Sequence, residues 1–359
     1  MDFTPTEEQE AARELAARIF GDLATPERLA ATGTGTDAEL WKALCAAGLP
    51  ESVEETGLLG LVLLAEEQGR TTAQVPFTAS CVYGLLAVAR HGTAEQRARL
   101  LPGLRAGTTV VTAAFPAPAG VGVRAEPAGD GSGVRLTGTV PWVPWLRDAT
   151  HVLVPDGRRA LWLARVPAEV AAVELTAPWS AGRLVLDGAP AERLGPVAEA
   201  PGSGAGSTYE DVLAAARIAF AGLQAGVCAG SLARAVAYTS VREQFGRPLS
   251  SHQGVQLRAA DAHMDTESIR VTAYEAAWRH DRGLPAAAHT LTAAWWASEA
   301  GKRVVHAGQH LHGGMGADLD HPVHRHFLWG RQLDAYLGGG TELLAELGDL
   351  LANDGGEDA

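Results

Sequence analysis

Two short stretches carry residue types that could act together on a ligand. In the first, Arg242, Gln244, Phe245 and Gly246 fall where a long helical pattern stops. A guanidinium pairs with phosphate, a phenyl ring lies against another aromatic ring, and a glycine lets a ligand approach the backbone. The same four residues also read as an ordinary helix end with an apolar anchor. In the second stretch, QHLHGGMG, the candidates are Gln309, Gly313, Gly314 and Gly316. Amides left open by glycines can cradle a pyrophosphate. A plain turn competes with that reading. The run is not the strand–Gly-x-Gly-x-x-Gly–helix nucleotide signature, because it follows a helix.

Histidines crowd the same region: His306, His310, His312, His321, His324 and His326. His306 and His310 are four apart and could share a helix face, with Asp318 or Asp320 completing a metal site. That would be the chemistry of a metal-dependent hydrolase. Scattered surface or capping histidines are the competing reading. The sequence has no nucleophile elbow, Walker loop or paired-carboxylate motif.

The elements that must position these residues are mostly helical. Val212, Ala216, Ala219, Leu223, Val227, Gly230, Arg234, Ala237 and Val241 recur at helical spacing, which predicts one long helix with a stripe of small residues. Small residues let a neighbouring helix come close. A second long helix follows from near Ser251, a third from Leu284-Pro285, and a last short one over Thr341–Leu351. Helices of this length need a bundle to bury their faces. Residues 1–107 also read as helical. From Gly107 the period changes: TTVVTAAF, GVRLTGTV, ATHVLVP, RALWLARV and AAVELTA are short β-type runs split by Gly, Pro and Asp. The expected organisation is therefore α+β: an N-terminal α-helical domain (1–107), a middle β-domain (108–200), a C-terminal four-helix bundle (201–352) and a disordered tail (353–359). GPVAEAPGSGAGST is read as the linker into the bundle.

Composition excludes some classes. The chain is 47% hydrophobic, and its formal net charge of −13 includes no basic stripe, which argues against a nucleic-acid binder. Cys45, Cys81 and Cys228 show no metal or redox spacing and read as reduced thiols of a cytoplasmic protein. No apolar signal region or membrane span is recognised.

Taken together, the motifs resemble the acyl-CoA dehydrogenase family over nearly the full length. REQFGRPLSSHQ is similar to that family's Arg-x-Gln-Phe-Gly segment, and QHLHGGMG to its Gln-x-x-x-Gly-Gly-x-Gly segment. The resemblance implies FAD as cofactor, an acyl-CoA or related acyl thioester as substrate, and a dimer or heterotetramer with a paralogous subunit. It implies that Arg242, Gln244 and Phe245 reach a flavin dinucleotide held mainly by the neighbouring subunit. Gln309, Gly313 and Gly314 would line its adenosine-diphosphate portion.

The departures concern the base. The family's Tyr-Glu-Gly-Thr glutamate falls, counted without gaps, on Leu337, and the alternative position in the first long helix of the bundle falls on Ala216. Neither side chain takes a proton. Asp334, Glu342, Glu210 and Asp211 are nearby acids that a register shift would have to recruit. The flavin- and thioester-facing segments are altered in AAFPAPAGVG (113–122) and at Pro141-Trp142-Val143-Pro144. The expectation is a dehydrogenase-type subunit, α,β-dehydrogenating an acyl thioester, that needs a partner for the base and is poorly active alone. A catalytically silent structural or FAD-site-completing subunit is the alternative.

Overall fold

The computed structural model describes residues 2–115, 122–128, 133–195 and 208–354. Helices come first: α1 (Glu7–Leu23), α2 (Pro26–Thr32), α3 (Ala38–Ala46), α4 (Leu49–Thr71), α5 (Phe77–Ala79), α6 (Ala87–His91) and α7 (Ala94–Arg105). Thr6 opens α1 and Thr93 opens α7 with reciprocal caps through Gln9 and Gln96. Within the stretch expected to be helical, the turn between α5 and α6 is wider than a regular one, because Ser80–Leu86 forms a π-helical run.

Strands follow: β1 (Val111–Ala113), β2 (Arg124–Pro127), β3 (Val134–Val143), β4 (His151–Pro155), β5 (Leu161–Arg165), β6 (Ala171–Ala172) and β7 (Gly182–Leu194). The sheet order is β1-β4-β5-β7-β3-β2, with β6 on β7. The β1–β4 pair is parallel and the others are antiparallel. Leu136, Val143, Leu146, Val152, Val154 and Leu184 form its core. The expected strand AAVELTA shrinks to two residues, and the longest strand, β7, was not anticipated. Its alternation of buried and exposed residues is clear from Gly182 to Asp187 and then blurs at Gly188-Ala189-Pro190, where the sequence looks like a turn.

The remaining elements are α8 (Thr208–Val241), a hairpin of β8 (Glu243–Gln244) and β9 (Arg247–Pro248), α9 (Gln253–Asp281), α10 (Ala287–Leu311), α11 (Val323–Tyr336) and α12 (Gly340–Asp354). One reading changes here. Helix α10 runs through His306, Gln309 and His310, a 3-10 turn follows over Gly313–Ala317, and irregular backbone leads on to α11. Helix α12 reaches Asp354, two residues into the stretch expected to be disordered, and Leu347 and Leu350 on it pack against the Leu291–Ala294–Leu343 cluster. The rest of that tail, 355–359, and the linker at 196–207 lie outside the described residues. By length and composition α8 passes as a membrane span, a reading missed from the sequence. Its most apolar window is 83% buried, as in a core helix.

The chain divides into two compact units. One comprises Met1–Ala31, Leu58–Ala73 and Arg217–Ala359, and the other Thr32–Gly57 and Gln74–Ala216. In the first, α8 crosses α4 through Gly222, Gly226 and Gly230, which face Val62, Glu66 and Arg70. A Cβ on Gly226 would lie 1.9 Å from the Glu66 carbonyl oxygen. The two four-residue spacings match, so the backbones meet along one stripe. Helix α9 joins the same assembly through charge. Glu66, 2% exposed, accepts from Arg270 Nη2 at 2.8 Å, Tyr274 Oη at 2.8 Å and Arg70 Nη2 at 3.1 Å. Asp281, at the end of α9, accepts from Leu58 N (2.8 Å) and Leu59 N (2.9 Å), capping the second half of α4 after its break at Gly57.

Candidate functional site

The first motif is a tight hairpin. Gln244 pairs with Arg247, and the two residues between them, Phe245 (φ +56°) and Gly246 (φ +78°), are both left-handed. That is the backbone of a primed two-residue turn, which favours Asn or Gly over an aromatic residue. Phe245 nevertheless sits there with its ring 92% exposed, touched edge-on by His252 at 6.1 Å between centroids. Arg242 and Gln244 are also exposed. Gln244 Nε2 donates to the Glu243 carbonyl at 2.9 Å. Backbone strain and an exposed phenyl ring both cost stability, a combination typical of recognition sites.

The second motif is held by its glutamine. Gln309 Nε2 donates to the Gly316 carbonyl at 3.0 Å and closes the turn. Gly316 is packed on the Gln309 backbone, whereas Gly313 (φ +61°) and Gly314 have no atom within 4 Å of where a Cβ would be. Gly313 and Gly314 are therefore the glycines of this motif that stand exposed with open space around them.

Sequence reasoning missed the residues that bring the motifs together. Tyr238 accepts the Arg242 amide at its carbonyl (3.0 Å), and its ring stacks on His312, the residue before Gly313, at 4.9 Å and 20°. His312 is buried, with Nδ1 2.7 Å from the Gly308 carbonyl. An aromatic one turn before Arg242 and a histidine abutting the glycines were the available signals.

The two base positions are buried. Ala216 is fully buried on α8. Leu337, 6% exposed, lines a cavity of about 20 Å³ with Arg217, Phe220, Tyr336 and Leu343. That is room for about one water molecule. Phe220 and Tyr336 meet edge-to-face at 4.8 Å. Arg217 Nε donates to the Leu337 carbonyl at 3.3 Å, and its Nη atoms grip Glu346 at 2.7 and 2.8 Å. The nearby acids are engaged elsewhere. Asp334 accepts from Ser298 Oγ (2.9 Å) and pairs with Arg331 (3.2 Å). Glu342 accepts from Gly339 N (3.1 Å). Glu210 pairs with Arg159 (2.7 Å), and Asp211 with His91 (2.7 Å). Of the altered β-domain segments, 116–121 lies outside the described residues. At the other, Thr112 Oγ1 donates to the Pro144 carbonyl at 2.6 Å, and the following Trp145 is left-handed and stacked on Trp179.

The histidines do not build a metal centre. Among the described residues no three metal-ligating side chains converge. His306 meets the Phe327 ring, and His324 Nδ1 lies 2.7 Å from the His321 carbonyl. His326, 1% exposed, donates from Nε2 to the Arg70 carbonyl at 3.0 Å. Burial pushes the His326 pKa down to about 4, although the Arg70 bond pulls the other way. His312 and His326 are buried, His321 and His324 half-buried, and His306 and His310 exposed, so the metal-dependent hydrolase reading finds no convergent ligand set among the described residues.

Helices at both ends of the chain around a middle seven-stranded sheet make up the fold of a flavoprotein oxidoreductase class. The chain belongs to the acyl-CoA dehydrogenase family. The profile for acyl-CoA dehydrogenase, N-terminal domain, matches residues 6–108, and that for the C-terminal domain matches residues 202–347. Acyl-CoA dehydrogenase FadE27 of Mycobacterium tuberculosis is 36% identical, covering 98% of this chain and 99% of its own length. Among solved structures, a variant of the Tcur3481-Tcur3483 steroid ACAD is 40% identical with a TM-score of 0.88, covering 98% of this chain and 99% of its own. The ChsE4-ChsE5 complex from Mycobacterium tuberculosis is 34% identical with a TM-score of 0.89 and the same coverage.

Proposed function

We propose that this chain is the base-lacking subunit of a hetero-oligomeric, FAD-dependent acyl-CoA dehydrogenase acting in lipid metabolism. Its substrate class is an acyl-CoA thioester on a steroid-like skeleton, by analogy with the steroid ACAD relative. The carrying observation is the buried Leu337 position: a cavity of about 20 Å³, with Arg217 committed to Glu346. That volume does not take an acyl chain, and among the described residues no carboxylate lines it. The residues fit the cofactor better. The Phe245 ring is exposed enough to lie on a flat aromatic system, and the exposed Gly313-Gly314 backbone leaves room for a pyrophosphate to approach.

Bound FAD supplies the two-electron chemistry of α,β-dehydrogenation. This chain's residues orient it: Arg242 and Gln244 through their exposed polar ends, Phe245 by ring contact, and Gly313 and Gly314 by amide donation. Tyr238 and His312 hold the two segments in register. The α-proton goes to a carboxylate of the partner, since positioned proton transfer contributes about 10²–10⁴-fold and neither Leu337 nor Ala216 can accept it. Co-expression with the paralogous subunit, followed by intact-complex mass and flavin content, tests the reading. The expected product is a yellow complex containing both chains. A stable flavin-loaded homo-oligomer that ignores the paralogue overturns it.

A further inference from the structure

Two histidines bracket the Gly313-Gly314 turn. His312 follows the last residue of α10, and His321 stands shortly before α11. Their rings meet at 4.9 Å between centroids, tilted by 58°. Between them the backbone is tied by three successive bonds. Asp318 N donates to the Met315 carbonyl, His321 N to the Asp318 carbonyl and His324 N to the His321 carbonyl, each at 3.2 Å. The segment carrying the two glycines is thus fixed at one end by His312, stacked on Tyr238, and at the other by His321.

Hydrogen bonds settle which ring nitrogens carry protons. The Gly308 carbonyl can only accept, so His312 Nδ1, 2.7 Å away, carries a proton and donates it. The Val323 amide can only donate, so His321 Nδ1, at 3.3 Å, is bare and accepts. Val323 is buried and opens α11, and its amide is one of the donors that a helix start leaves over. Pro322, at the cap position, offers no side-chain acceptor. The His321 ring therefore takes the place of an Asn or Asp side chain in an Asx turn. A proton on Nδ1 would remove this bond and set a positive charge at a helix N-terminus, where the macrodipole opposes it. The surroundings oppose it too. His321 is half-buried, and the charged groups facing it are His312, Arg234 of α8 and His324, against the exposed Asp318. Burial, aided by His312 and Arg234, holds the His321 pKa below the usual histidine value.

We propose that His321 is a positioning residue for bound FAD: bare at Nδ1, it caps α11 and backs His312 so that the Gly313-Gly314 turn keeps its shape, and protonation there undoes the cap and loosens the turn. The inference rests on the flavin reading of those glycines. Because the capping form is the neutral one, flavin affinity is full above the ordinary histidine range and falls as pH drops through the lowered His321 pKa. A ring that only filled space would give no such dependence.

The test is titration of the two-chain complex with FAD, followed by flavin fluorescence, from about pH 7.5 to about pH 5.5, with folding checked by circular dichroism. The wild type should lose about tenfold in affinity over that range, the scale of a lost helix cap. His321→Asn, whose Oδ1 can accept the Val323 amide and does not titrate, should match the wild type at the upper pH and stay flat. His321→Ala should be flat and about tenfold weaker throughout. On the free chain, without flavin, protection of the Val323 amide from hydrogen exchange should be lost at the lower pH in the wild type and kept in His321→Asn. The proposal is overturned by wild-type affinity or Val323 protection that does not change with pH, or by an affinity change as large in His321→Asn as in the wild type. A complex that takes up no flavin at any pH overturns the flavin reading itself, and this inference with it.

Discussion

Phe245 and Leu337 lie in the same unit and show opposite treatment of an apolar side chain. Phe245 is 92% exposed on a left-handed turn, and the edge of His252 meets its ring. Leu337 is 6% exposed, its carbonyl is bonded to Arg217, and its cavity is nearly filled. One region spends stability to present an aromatic surface, and the other gives up a reactive pocket to gain packing. A self-sufficient dehydrogenase would need the second region open. A subunit that completes another chain's cofactor site needs only the first.

Substitutions can separate the two regions, beginning with the scaffold they share. Gly226→Ala places a Cβ against the Glu66 backbone, which cannot yield as a flexible side chain would. The expected loss is about 3 kcal/mol or more, read as a lower denaturant midpoint. An unchanged midpoint would mean that α4 and α8 do not cross at this distance.

The next effect depends on pH. His326 is neutral in the fold, with its pKa lowered by burial to about 4, and in the unfolded chain it titrates near its ordinary value. The unfolded state therefore binds the extra proton first. Stability is full above about pH 7 and falls as pH drops through the window between the two values, by up to about 3 kcal/mol. His326→Gln should flatten that dependence between pH 7 and pH 5 in equilibrium unfolding. A variant that keeps the full wild-type slope assigns it to other groups.

The smallest effect is the most selective. Phe245→Ala removes an exposed ring, so the free chain's unfolding free energy should stay within about 0.5 kcal/mol. In the assembled complex the same change should weaken FAD retention about tenfold, the upper end of an aromatic stacking contribution. Equal flavin retention in variant and wild type would reduce Phe245 to an unused turn residue.

Much of this arrangement is legible in the sequence because it is local. The small-residue pattern from Val212 to Val241 specifies a closely packed helix, and Phe245-Gly246 specifies its stop. What is not legible depends on residues far apart in the chain. Glu346 lies 129 residues from the Arg217 it neutralises, and no local pattern announces that pair. The same holds for Tyr238 on His312, and for Glu66, which reads as a surface charge until Arg270 and Tyr274 are brought to it. Strand β7 was missed for a different reason: Gly188 and Pro190 signal a turn, while pairing with β3 and β5 carries the strand through them. The histidines misled because spacing on a helix says nothing about which carbonyl or ring each one meets.

The central claim is that this chain provides no catalytic base of its own. Its most direct test is anaerobic bleaching of flavin by an acyl-CoA thioester in the two-chain complex, with the partner's catalytic carboxylate replaced by its neutral amide. If this chain only completes the cofactor site, no flavin in that complex should bleach rapidly, while the unmodified complex bleaches promptly. Rapid bleaching that persists without the partner's carboxylate would mean that this chain takes the α-proton itself, and would contradict the account.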